Sequence, residues 1–91
     1  MPQSKADPVK IAIAWNDPAM VQIGKGGVSE GILEETKRLV KRHKYIKVKL
    51  LRSTGANKYT KQAIFEDLCG KVGAELAGIR GNTAVIYKLR K

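Results

Sequence analysis

Residues 21–27 read Val-Gln-Ile-Gly-Lys-Gly-Gly. A short apolar run ends there in a glycine-rich turn carrying one lysine. Glycine takes positive φ without strain and lets a ligand approach the backbone closely. An amphipathic helix pattern begins directly after it, at Val28. A helix start offers unpaired N–H groups and the positive end of the helix dipole. This combination suits a phosphate. The expected contacts are the backbone N–H groups of Gly24, Lys25, Gly26 and Gly27 with those of Val28 and Ser29, and Lys25 adds a charge-assisted bond. The spacing matches neither the Gly-x-x-x-x-Gly-Lys-Ser/Thr nucleotide loop nor the Gly-x-Gly-x-x-Gly dinucleotide fingerprint.

The remaining chemistry is cationic. Lys37, Arg38, Lys41, Arg42 and Lys44 crowd the late part of that helix. Such residues offset the helix dipole as a solvated face and also suit a polyanion, and Lys37 and Lys41 are the candidate contacts. Arg52, Lys58 and Lys61 flank a polar loop, and Arg80 sits at a hairpin. If the Gly24 turn and the Arg52 loop leave neighbouring parallel strands at one edge, they form one basic rim. Tyr59, beside that loop, is the best candidate for stacking on a base. Trp15 and Tyr87 read instead as core or half-buried packing, His43 as a surface residue, and Cys69 as a buried inert thiol.

Lys plus Arg number 18 against 8 Asp plus Glu, giving +10 and a pI near 10.0. That excess points to nucleic acid first and an anionic membrane second. The basic residues are spread over elements that each have a core-facing side, which argues against a membrane-surface helix. One Cys and one His cannot build a zinc site, and a lone Cys excludes an internal disulfide. Neither paired carboxylates nor a nucleophile–base set is evident, so neither an enzyme nor a cofactor is expected. No apolar run approaches the roughly 20 residues of a membrane span, and the N-terminus lacks an apolar signal core, so a cytoplasmic setting is expected. Ninety-one residues, 43% of them hydrophobic, fit one domain.

These groups are positioned as follows. Residues 1–8 read as a loose lead-in to a single domain over 9–91. Val9, Ile11, Ile13 and Trp15 alternate with Lys10, Ala12 and Ala14, which predicts a strand. With turn chemistry at Asn16-Asp17-Pro18 and a second strand at Met20–Ile23, residues 9–23 would form a hairpin. A helix is expected over Val28–Arg42, a strand over Tyr45–Leu51, and a helix over Thr60–Val72 with Thr60 as N-cap. Strands near Glu75–Arg80 and Thr83–Tyr87 then join through Gly81-Asn82. The unit from Met20 to Leu51 should join parallel strands by a right-handed crossover. The result is an α/β fold in two layers, with a mixed four- to five-stranded sheet and two helices.

Val21-Gln22-Ile23-Gly24-Lys25-Gly26-Gly27-Val28-Ser29-Glu30-Gly31 closely resembles the signature of the CRM domain (chloroplast RNA splicing and ribosome maturation). The resemblance continues through Ile46-Lys47-Val48-Lys49, through Leu68-Cys69-Gly70-Lys71-Val72-Gly73-Ala74-Glu75-Leu76, and through Gly81 to Lys88. It spans about residues 19–90. It implies an RNA-binding α/β domain similar to the C-terminal domain of translation initiation factor three, with a loop similar to the Gly-x-x-Gly clamp of KH domains. Single-domain members in bacteria and archaea are associated with ribosomes or their precursors. The expected partner is therefore structured ribosomal RNA, bound by a free monomer acting in ribosome assembly. The alternative is a constitutive structural protein of a ribosomal subunit. The family usually has a helix before the first strand, where the alternation at 9–15 reads as a strand instead.

Overall fold

The alternation from Tyr45 to Leu50 folds as a strand whose Ile46, Val48 and Leu50 are buried, while Tyr45 and Lys47 are half-buried and Lys49 is exposed. This period of two sets the two faces of the whole sheet. The computed structural model describes residues 7–24, 27–51 and 58–88, the side chains of residues 58 and 59 excepted. Its elements in chain order are α1 (Pro8–Asn16), β1 (Val21–Ile23), α2 (Glu30–His43), β2 (Tyr45–Leu50), α3 (Lys58–Val72), β3 (Glu75–Arg80) and β4 (Thr83–Tyr87).

The strands lie in the order β1-β2-β4-β3. β1 and β2 are parallel, with Val21 opposite Val48 and Ile23 opposite Leu50. β4 runs antiparallel to both β2 and β3. The mixed α/β sheet expected from the sequence is present, as is the antiparallel hairpin, whose turn has Gly81 at φ +60°. A bulge between Leu76 and Gly78 shifts the β3 register by one residue.

α2 and α3 cover one face. Their Val40, Phe65, Leu68, Cys69 and Val72 join Val21, Ile23, Ile46, Val48, Leu50, Ala84 and Ile86 in a single core. Phe65 and Leu68 are fully buried, and burial of such side chains contributes about 1.5–3 kcal/mol each. Thr36 is buried as well, and its hydroxyl donates to the Ile32 carbonyl at 2.6 Å, so it carries no unsatisfied polar group into the core.

The expected strand at 9–15 is corrected: these residues are helical, and the hairpin over 9–23 does not form. The helix count is three rather than two. Asp7 and Pro8 decide the outcome locally. The Asp7 carboxylate accepts from the Val9 N–H at 2.9 Å as an N-cap, and Pro8 occupies the first turn, where its missing N–H costs nothing. Ile11, Ala14 and Trp15, spaced i, i+3, i+4, are the buried or half-buried positions, whereas Val9 and Ile13 remain exposed.

α1 packs on the sheet face opposite α2 and α3. Lys47, which points away from the core, donates its ammonium to the Trp15 carbonyl at 3.0 Å. The Tyr45 hydroxyl accepts from the Asp7 N–H at 2.7 Å. Val85, on that same face, is buried. Two smaller expectations also change. α2 begins at Glu30 rather than Val28, and α3 begins at Lys58, which puts Thr60 inside the helix rather than at its N-cap.

Candidate nucleic-acid interface

The glycine turn closes on itself. The Gly27 N–H donates to the Gly24 carbonyl at 2.9 Å, and Gly27 sits at φ +71°. An L-residue there would meet no neighbouring atom but would carry left-handed strain, so backbone geometry rather than space calls for glycine. The Gly27 N–H is thus engaged in the turn. Lys25 and Gly26 lie outside the described residues.

Ser29 acts as the N-cap of α2. Its hydroxyl accepts from the Ile32 N–H at 3.3 Å, and its carbonyl accepts from the Leu33 N–H at 2.9 Å. With α2 starting at Glu30, the N–H groups of Glu30 and Gly31 have no partner within the helix. They face the end toward which β1 delivers the turn. Val28 is half-buried and packs against the core, so it anchors the turn to the domain. The Glu30 carboxylate suits the helix dipole but opposes an anion directly beside it.

The parallel pairing brings the strand ends together. The Leu51 N–H donates to the Ile23 carbonyl at 2.8 Å, and the Leu50 N–H donates to the Asn82 carbonyl at 2.7 Å. The exits of β1 and β2 and the β3–β4 turn therefore share one end of the sheet. Arg52, expected on this rim, lies outside the described residues, as do the side chains of Lys58 and Tyr59. Arg80 closes β3 at the same end, but its guanidinium lies over the Trp15 ring, 4.4 Å from the centroid. Sequence reasoning missed this pairing because it read Trp15 as a strand residue.

Lys37 and Lys41 do not join this end. The helical rise puts them about 11 Å and 17 Å down α2 from Glu30. They line a separate cleft with Glu34, Arg38, Val72 and Lys88. Arg38 and Lys88 were not singled out as contacts. Lys88 becomes relevant only because its N–H donates to the Lys44 carbonyl at 2.9 Å, tying the end of β4 to the end of α2.

The described aromatic side chains serve structure. Tyr45 and Tyr87 stack at 5.6 Å between centroids on the α1 side of the sheet. Burial first, then Glu75, Tyr45 and Cys69, push the Tyr87 phenol above its ordinary value. Cys69 is buried, and His43 is exposed. Among the described residues, no three His, Cys, Asp or Glu side chains gather as a metal site, and no helix is long and apolar enough to cross a membrane.

A glycine turn feeding a helix on a mixed sheet, in a strongly basic chain, defines a class of small α/β domains. The chain belongs to the CRS1 / YhbY (CRM) domain family, which it matches over residues 10–88. It is 30% identical over 66 residues to a Pseudomonas aeruginosa protein named as a probable RNA-binding protein, covering 72% of this chain and 61% of that one. It is 32% identical over 69 residues to an RNA-binding protein of Haemophilus influenzae, covering 76% and 67%. The chain thus spans about three fifths to two thirds of these relatives' lengths. The fold is also similar to the solution structure of a Staphylococcus aureus protein described as a hypothetical RNA-binding one. There the TM-score is 0.75 at 30% identity, covering 88% of this chain and 80% of that one.

Proposed function

We propose that this chain is a non-catalytic RNA-binding protein that grips an RNA backbone at the Gly24–Gly27 turn, and that its RNA is structured ribosomal RNA met during ribosome assembly. The observation that carries the reading is the turn itself. It has Gly27 at positive φ, it runs into the N-terminus of α2, and it belongs to a chain of net charge +10. The names of the relatives support RNA as the partner. With the Gly27 N–H engaged by Gly24, a phosphate would draw on Lys25, on the other backbone N–H groups from Gly24 to Ser29 and on the first N–H groups of α2. Arg52, Lys58 and Tyr59 would extend the same grip, and Arg80 would do so once it leaves or shares the Trp15 ring. The free protein is a monomer that works in the cytoplasm as one domain.

Lys25→Glu combined with Gly26→Asp tests this reading. Both substitutions put negative charge where a phosphate would sit, and RNA affinity should fall at least tenfold while the circular dichroism spectrum stays native. Unchanged affinity in the folded variant would sink the assignment. Sedimentation of a lysate on sucrose gradients addresses the ribosomal part. An assembly factor travels with precursor particles and leaves in high salt. Salt-resistant residence on mature subunits would mean a structural component, and absence from both would remove the ribosome from the reading.

A further inference from the structure

The cleft beside α2 contains four cations and one carboxylate. Lys37, Arg38 and Lys41 line it from α2, with Glu34 among them, and Lys88 lines it from the end of β4. Val72 forms an apolar part of its wall, and the space measures about 590 Å³. Cations late in a helix offset its dipole, and that accounts for Lys41. It does not account for Lys88, which belongs to no helix, or for four like charges gathered around one concavity.

The lack of pairing makes the cleft more than a solvated face. Among the described residues the one ion pair is Lys71–Asp67, outside the cleft, so Glu34 pairs with none of the four cations within 4.0 Å. Gly73 ends α3 at φ +71°, and a Cβ there would stand 3.8 Å from the Lys88 ammonium. Unpaired cations in a concave site focus their field outward and attract a polyanion.

We infer that this cleft is a second RNA-backbone subsite, separate from the glycine turn, so that one RNA is held at two places. The inference rests on the RNA-binding reading above. Its centre lies more than 10 Å down α2 from the turn by the helical rise, so a dinucleotide clamped at the turn by its one phosphate does not reach it. A longer, folded RNA engages both. Lys37 and Lys41 then act with Arg38 and Lys88 as a distinct unit rather than as the tail of the glycine loop.

Arg38→Gln with Lys88→Gln tests the inference in the full chain beside Lys25→Glu with Gly26→Asp. Two RNAs are used: a short strand of two nucleotides, whose single internucleotide phosphate can occupy the turn alone, and a stem-loop of about 16 base pairs. Each is titrated by fluorescence anisotropy at several salt concentrations, after thermal melts confirm folding. The cleft variant should lose about tenfold on the stem-loop and less than twofold on the short strand. Its log–log salt slope on the stem-loop should flatten by about 1.4–1.8, for two phosphates at 0.7–0.9 each. Equal losses on both RNAs, or no loss on either, would overturn the separate subsite. Loss with the cleft variant alone would keep the subsite and remove the glycine turn from the proposed function. Wild-type protein that binds neither RNA would end both.

Discussion

The Arg80 guanidinium stands 4.4 Å from the centroid of the Trp15 ring, joining the C-terminal end of β3 to the C-terminal end of α1. Gly78 lies beside the ring, where an added Cβ would make only ordinary contact. It pairs with Val85 on the α1 face, and a Cβ there would meet Trp15 Cζ2 at 3.9 Å. A cation over an indole face contributes about 0.5–1 kcal/mol at an exposed site. Arg80→Ala should therefore destabilise the domain by about that much in urea unfolding. Trp15 is the only tryptophan in the chain, so tryptophan emission reports this site alone. If Arg80 also touches RNA, titration with RNA should change the wild-type emission and leave Arg80→Ala unchanged. Identical responses from both proteins would take Arg80 out of the interface.

Gly27 offers a prediction free of side-chain chemistry. Its φ of +71° places an L-residue in the left-handed region, where the cost is about 1–2 kcal/mol, although nothing lies within 4 Å of the added Cβ. Gly27→Ala should lower stability by that amount, and Gly27→Asn by less, because Asn tolerates this region. Chemical denaturation measures both. Equal losses for the two variants would mean crowding rather than backbone strain.

β2 and the two long helices were legible because each follows one period. Ile46, Val48 and Leu50 alternate into the core, and Val40, Phe65, Leu68 and Val72 recur at helical spacing. Residues 9–15 satisfy both periods at once. Val9, Ile11, Ile13 and Trp15 alternate and are mostly β-branched, which favours a strand, yet Ile11, Ala14 and Trp15 make a helical stripe. The tie is broken by Asp7-Pro8, a cap and first-turn pair that reads as lead-in if only apolar residues are counted. The alternation also misled because Val9 and Ile13 are exposed at 65% and 53%. The site divided for a different reason. Sequence shows that Lys37 and Lys41 are basic, but only the packing of α2 against the ends of α3 and β4 shows that they face Lys88 and not the glycine turn.

That cap has a measurable weight. Asp7 bonds the Val9 N–H through its side chain and the Tyr45 hydroxyl through its backbone N–H. Asp7→Ala removes the first bond and keeps the second. Such caps are worth about 1 kcal/mol, and a helix of nine residues is too short to persist without its anchors. The variant should lose about 1 kcal/mol, and amide exchange should speed up in α1 while β2 and β4 stay protected. Uniform acceleration across the sheet would show that α1 is integral to global folding rather than a separately opening unit.

Cys69 gives the pH prediction. Burial first, then the charges of Glu75 and Glu66, push its thiol from 9.0 up to about 12. The folded state therefore holds the proton more tightly than the unfolded chain does. The stabilisation from the neutral thiol is complete below pH 9.0 and is lost as pH rises through about 12, so unfolding should become easier across that window. The same burial keeps the thiolate out of reach of reagents. At about pH 8, near the ordinary thiol pKa, a disulfide reagent should label Cys69 only after urea is added. Cys69→Ala, which removes the titrating group, should flatten the alkaline loss of stability relative to wild type. Prompt labelling of the native protein would mean that α3 opens far more readily than the full burial of its Phe65 and Leu68 implies.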